Sequence, residues 1–225
     1  MKPWLPLLLA LLPGFAGAAG IEVPRQGGGD YHLHLTSLRA ERYRTTIHQK
    51  YDFSCGSAAV ATLLTYQYDF PVSEQTAFTQ MYAHGDTAKI SKDGFSLLDI
   101  KNFLASRGFV ADGFIVPLDK LAQQHLPAIV LIDERGYHHF VVVKGLADDR
   151  VLIGDPAKGT RSMPRSEFQK LWTNHLLFVV HNHRDQAIFN SLGDWRAAPM
   201  VRMGEVIDRS GLYNLTMPKR GPDDI

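Results

Sequence analysis

Apolar residues recur at helical spacing through the first half of this chain and give way to strand-like runs after Pro117, and that order restricts the fold more than any other feature. Ser54 is placed to cap a helix containing Ala58, Ala59, Val60, Ala61, Leu63 and Leu64. A second helix is expected over 73–82, after Pro71. A third is marked by Ser96 and Asp99 in capping-box spacing, the apolar Leu97, Leu98, Ile100, Phe103 and Leu104, and Gly108 as a stop. Residues 128–132, 139–143, 151–155 and 176–180 read as strands, with a turn at 133–136 and a short helix over 165–172. Helices first and hairpin-linked strands afterwards predict an α+β domain, N-terminal helices packed on an antiparallel sheet, rather than a doubly wound parallel one.

With 225 residues, 45% hydrophobic and 21% charged, the chain can bury one good core, so one main domain is expected. Lys plus Arg number 24 and Asp plus Glu 23, and the formal charge of +1 offers no electrostatic basis for nucleic acid or an anionic membrane as a partner. Gly27, Gly28 and Gly29 lack the preceding strand and following Lys-Ser or Lys-Thr of a phosphate loop, and read as linker. Lys2, the apolar run 4–12 and the small residues Ala16, Gly17, Ala18 and Ala19 form a secretory signal pattern, too short to span a bilayer. The expected organisation is a signal peptide at 1–19 cleaved after Ala18 or Ala19, a linker at 20–47, a domain at 48–183 and an extension at 184–225. The mature protein would be periplasmic, without an integral membrane segment.

Cys55 is the single cysteine, so an intramolecular disulfide is excluded. In an oxidising compartment structural cysteines usually come in pairs. Its place at the start of a helix would stabilise a thiolate through unsatisfied amides and the helix dipole, and Gly56 behind it lets another group approach closely. A small buried hydrophobe is the plain alternative. Among ten histidines, His138 and His139 stand out because they open a strongly apolar strand, where a polar ring needs a partner. If Val143 pairs with Val151 across a loop of three or five residues, His139 faces Asp155 directly, and a carboxylate lies beside the imidazole. Such an Asp would set the tautomer of the ring and stabilise the imidazolium. Acyl transfer also needs oxyanion donors, which the Cys55 amide and the Gln49 side chain could supply. His181 and His183 share a strand face, but no zinc-ligand spacing accompanies them, so neither metal nor cofactor is expected.

Gln49, then Cys55-Gly56 before an alanine-rich helix, then His139-Phe-Val-Val-Val, then Gly154-Asp155-Pro156 resembles the C39 peptidases, papain-like enzymes that cleave double-glycine leaders. The resemblance covers 48–180 and implies Cys55 as nucleophile, His139 as general base and acid, Asp155 as orienting carboxylate and Gln49 in the oxyanion hole. The Tyr-Asp-Phe-Ser-Cys-Gly form is similar to the stand-alone secreted branch, and the layout of signal peptide, single domain and short tail is similar to the C39-like proteins of bacterial functional-amyloid secretion operons. The implied function is a periplasmic cysteine peptidase acting on a secreted polypeptide, after Gly-Gly or in an amyloid export system, in association with a secretion machinery. The implied partner is an amyloid or leader-bearing export protein. The alternative is a non-hydrolytic papain-like binding or chaperone module for such a substrate.

Overall fold

The computed structural model describes residues 21–22, 32–33 and 37–198. The expected signal peptide, the three linker glycines and residues 199–225 of the extension lie outside the described residues. The N-terminal unit, 1–40, contains a two-stranded antiparallel ribbon of β1 (Ile21–Glu22) and β2 (His32–Leu33). The second unit carries the rest of the architecture. After α1 (Leu38–Arg42) come α2 (Cys55–Thr62), which continues as a π-helical turn over Leu63–Gln67, then α3 (Glu74–His84), α4 (Thr87–Asp93) and α5 (Leu97–Ser106). Then follow β3 (Ala111–Ile115), α6 (Asp119–Gln124), β4 (Ala128–Glu134), β5 (Tyr137–Leu146), β6 (Arg150–Asp155), β7 (Gly159–Pro164), α7 (Arg165–Leu171), β8 (Leu176–Val180) and α8 (Leu192–Ala197).

The six long strands make one antiparallel sheet in the order β3-β8-β4-β5-β6-β7. Helices cover both faces. Phe140 and Val142 pack with Ala59, Val60, Leu63, Leu64, Ile100 and Phe103 on one face, while Val141 and Val143 pack with Val130, Ile153, Leu121 and Phe168 on the other. This explains why the strands read as unbroken apolar runs: alternate side chains point to opposite faces and each face is buried. The α+β class expected from element order is the one observed.

Local signals account for most boundaries. Ser73 caps α3 by accepting from the Thr76 amide at 3.0 Å. Ser96 and Asp99 close a reciprocal capping box, with Ser96 N–H donating to Asp99 Oδ2 at 2.7 Å and Asp99 N–H to Ser96 Oγ at 3.2 Å. Ser54 departs from expectation. It occupies the N-cap of α2 but makes no side-chain cap bond. Its hydroxyl turns back to Tyr51 instead, donating to the Tyr51 carbonyl at 3.0 Å and accepting the Tyr51 amide at 3.1 Å.

Helix α2 is buried along its whole length, which suits its small residues. Gly56 is required by this packing: a Cβ there would lie 2.9 Å from Phe95 Cβ and 3.6 Å from Phe140 Cδ2. Gly56→Ala is therefore expected to destabilise the domain by about 1–3 kcal/mol through overpacking, seen as a melting temperature several degrees lower in a thermal unfolding scan.

Candidate active site

Three segments converge at one end of the sheet. The first is the loop entering α2. Ile47 N–H donates to Thr62 Oγ1 at 2.9 Å, Thr46 and Thr160 hydroxyls bond at 2.7 Å, and Gln49 N–H donates to the Pro156 carbonyl at 3.1 Å. These bonds fasten the approach to Cys55 to the far end of α2 and to the β6–β7 turn. Cys55 itself is 7% exposed at the first turn of α2, where helical amides have no intrahelical acceptor.

The second segment is the start of β5. His139 is 3% exposed, and its Nε2 lies 2.8 Å from Asp155 Oδ1. Nδ1 has no hydrogen bond among the described residues, and the second side chain acting on the ring is the Cys55 thiol. Catalytic contacts of this kind often tighten only when substrate binds. His138, by contrast, is largely exposed, with Nδ1 3.8 Å from Asp133.

The third segment is the β6–β7 turn. Asp155 is fully buried, and besides the imidazole it accepts the Ala157 amide at 2.9 Å, the Lys158 amide at 3.1 Å and Arg161 Nε at 2.9 Å. Arg161 also reaches Glu134 Oε1 at 2.5 Å, and Glu134 pairs with Lys158. Burial alone would push the Asp155 carboxyl up, but the bond and charge of His139, the Arg161 guanidinium and the Ala157 amide outweigh it and hold it at about 2. Burial likewise pushes the His139 imidazole down, yet the Asp155 and Cys55 interactions overcome this and raise it to about 9.

The register differs from the sequence expectation. Val143 pairs with Ile153, not Val151, and the hairpin loop is the two residues Asp148 and Asp149, closed by Ala147 N–H to Arg150 O at 2.9 Å. Continued one step, the pairing sets Val141 opposite Asp155, so His139 meets the carboxylate diagonally on the same face. The short loop is the commoner hairpin connection, and a bulge between Val143 and Gly145 absorbs the difference.

Gln49 lies in the loop that delivers Cys55 and is 8% exposed. Its side-chain amide donates to the carbonyls of Tyr51 at 3.1 Å and Asp52 at 3.4 Å, and its Oε1 is buried without a partner among the described residues. Two neighbours were not singled out from the sequence. Tyr137 stacks on His139 with ring centroids 5.6 Å apart, donates its hydroxyl to the Asp52 carbonyl at 2.7 Å and also contacts the Gln49 amide. Arg161 is the other. Tyr137 had a sequence signal, since it stands two residues before His139 and so shares its strand face. Arg161 had none, because β7 carries no apolar run.

His181 and His183 do not act together: His181 Nε2 bonds Asp112 at 2.8 Å, while His183 packs on the Phe109 ring at 4.7 Å. A cavity of about 820 Å³ lined by His84, Asp99, Asn102 and Arg107 among others contains none of the converging groups, so concavity alone would point elsewhere.

A family model described as Peptidase C39 family matches residues 44–184, a span that holds Gln49, Cys55, His139 and Asp155. The chain belongs to the C39 peptidase family. It is a cysteine peptidase, and its relatives sharpen the branch. It is 39% identical over 181 residues to the probable functional amyloid protease FapD of Pseudomonas aeruginosa, covering 80% of each chain. Its likeness to the Pseudomonas fluorescens protein of the same name is 36% over 181 residues, again 80% of each. The lactococcin-G-processing and transport ATP-binding protein LagD of Lactococcus lactis is 31% identical over 135 residues, 59% of this chain and 18% of that one. Among solved structures, the peptidase domain of Streptococcus ComA, a bi-functional ABC transporter, superposes with a TM-score of 0.51 at 22% identity, covering 60% of this chain and 97% of that one. That likeness carries the fold, which is papain-like.

The shifts have a definite pH signature. The raised imidazole contributes stability that is complete below its ordinary 6.5 and lost as pH rises through about 9. The depressed carboxyl contributes stability present above its ordinary 3.8 and lost as pH falls through about 2. Stability from the pair is therefore expected to be fullest between 3.8 and 6.5. In the C39 chain labelled at histidine, NMR should find His139 titrating near 9, and Asp155→Asn should bring it down toward 6.5. A His139 midpoint near 6.5 in the unsubstituted protein would contradict the ion-pair geometry.

Proposed function

We propose that this C39 peptidase works in the periplasm and cleaves a secreted polypeptide of a functional-amyloid export system through an acyl-enzyme on Cys55. The observation that carries this reading is the buried Asp155 bonded to Nε2 of His139 while Cys55 acts on the same ring. The amyloid assignment is supported by the 39% and 36% identical relatives, whose names specify a functional amyloid protease. A scissile bond after Gly-Gly is what the C39 resemblance implies, and a relative named for lactococcin-G processing and transport supports an exported polypeptide as the substrate.

The proposed chemistry proceeds in two halves. The Cys55 thiolate attacks the peptide carbonyl carbon, and the carbonyl electron pair moves to oxygen. Imidazolium at His139 gives its Nδ1 proton to the departing amine, the C–N bond breaks and a thioester remains. Water then loses a proton to His139 as it attacks the thioester, and Cys55 leaves as thiolate. Asp155 stays ionised, holding the ring and stabilising its charge. The Cys55 amide and the Gln49 side chain receive the oxyanion, with the 3.4 Å contact from Gln49 to the Asp52 carbonyl exchanged for it. The incoming chain would lie along the half-exposed aromatic row of Tyr51, Phe53, Phe78 and Tyr82, whose successive ring centroids are 5.3–5.9 Å apart. Association with the export machinery belongs to the same reading.

The test uses quenched-fluorescence peptides with Gly-Gly or Ala-Ala before the scissile bond, together with surface-amyloid staining of cells carrying each variant. Cys55→Ala is expected to abolish both cleavage and amyloid display, and Asp155→Asn to reduce kcat/KM by roughly three to four orders of magnitude. Gln49→Ala should lower kcat by about a hundredfold with KM little changed. Full complementation by Cys55→Ala with substrate binding retained would replace the peptidase with the binding-module reading. Mass spectrometry of the exported protein should give an N-terminus at Ala19 or Gly20, and an uncleaved Met1 would overturn the secretory assignment.

A further inference from the structure

The two-residue loop at Asp148 and Asp149 creates a parity problem that the rest of β5 must solve. It sets Leu146 opposite Val151 and Gly145 opposite Leu152. Continued without interruption, this ladder would set Lys144 against Ile153 and Val142 against Asp155. Opposed residues share a face and neighbours alternate, so His139, three residues before Val142, would point away from Asp155. In the structure Lys144 is an extra residue: Val143 pairs with Ile153 and Val142 with Gly154. The shift of one brings His139 and Asp155 onto a common face. Bulges next to active sites re-aim side chains in this manner.

The extra residue is gripped by a segment that follows the part of the chain matched by the family. Asn190 N–H donates to the Lys144 carbonyl at 2.9 Å, and Asn190 Oδ1 accepts the Leu146 amide at 2.7 Å. The Lys144 side chain is fully buried; its ammonium pairs with Asp194 and donates to Thr45 O at 2.7 Å and Thr45 Oγ1 at 2.9 Å. Asp194 is also held by the Ser191 hydroxyl at 2.9 Å and the Thr45 hydroxyl at 2.5 Å. Two glycines make room. A Cβ on Gly145 would lie 2.3 Å from Asn190 Oδ1, and one on Gly154 would lie 3.0 Å from Lys144 Cδ and 2.9 Å from Thr46 Oγ1. Gly154 of the Gly-Asp-Pro sequence thus passes beneath the lysine stem. A buried ion pair is a poor source of net stability compared with apolar packing, and its best-attested use is setting register.

We propose that residues 188–194 form a clamp on the Lys144 bulge, and that Asn190 and Asp194 are positioning residues that keep His139 on the face of Asp155. Through Thr45 the same carboxylate tethers the segment leading to Gln49, so one clamp serves both approaches to Cys55. This proposal rests on the Cys55, His139 and Asp155 reading above.

The test uses the full chain with Asp194→Asn and Asn190→Ala, following His139 by histidine-labelled NMR and Cys55 by its alkylation rate with iodoacetamide at pH 7. Circular dichroism and thermal melting report folding. In a folded variant the His139 midpoint is expected to move from about 9 toward 6.5. Alkylation should slow by roughly tenfold or more, since small misplacements of reacting groups are costly. Deleting Lys144 removes the extra residue while leaving Val143 and Gly145 on their partners, so that chain should keep the His139 titration and gain insensitivity to Asp194→Asn. Folded Asp194→Asn and Asn190→Ala proteins with unchanged titration and alkylation would overturn the clamp, and unfolding of both would reduce it to a general structural role. A wild-type His139 midpoint near 6.5 would instead sink the catalytic reading itself, which separates the two failures.

Discussion

A fully buried carboxylate is the constraint to which the rest of this structure answers. Asp155 has no access to water, and an unpaired charge there would be prohibitive. It is satisfied from three directions at once: two amides of its own turn, the Arg161 guanidinium from the next strand, and the His139 imidazole from the previous one. Each donor depends on a different feature of the β5–β6–β7 ladder. The turn depends on Pro156 and Gly159, Arg161 on the pairing of β7 with β6, and His139 on the bulge in β5. A change in register anywhere along this ladder removes a donor and leaves the charge exposed to a low dielectric.

The same arrangement reconciles burial with ionisation. Arg161 bridges the carboxylates of Asp155 and Glu134, and Glu134 also pairs with the half-exposed Lys158, so the site is buried at its centre and wet at its rim. Tyr137 covers the exposed side of the imidazole while reaching the loop carbonyl of Asp52. The loop entering α2 and the sheet therefore meet beside His139 through a hydrogen bond as well as through apolar packing.

Much of this is legible in the sequence. The capping box at Ser96 and Asp99, the strand Leu176–Val180 and the helix beginning at Cys55 follow from local rules that act within one turn or one strand. Strands β3 and β7 were not legible, because both lie at sheet edges and neither carries the apolar run that betrays a strand buried on both faces. The pairing of His139 with Asp155 was anticipated on a common face but by a direct opposition the short hairpin loop does not allow. Lys144 lies just past the expected strand 139–143 and carries no sequence signal; its burial, its place as the extra residue of β5 and its pairing with Asp194 appear only in the folded chain.

The sequence by itself determined the class of fold, the order of the longest buried elements and the candidacy of Gln49, Cys55, His139 and Asp155, because periodicity, capping and residue chemistry are local properties and the spaced motifs resemble the C39 pattern. Only the tertiary structure decided which strands sit at the edges, how β5 is offset on β6, that Arg161 and Tyr137 stand beside His139 and Asp155, and that Asn190 and Asp194 hold Lys144. Those are consequences of contacts between residues far apart in the chain, such as Thr45 with Asp194 at a separation of 149. Pairings of that range are set by which whole arrangement buries its charges and fills its core, and no local pattern records the choice.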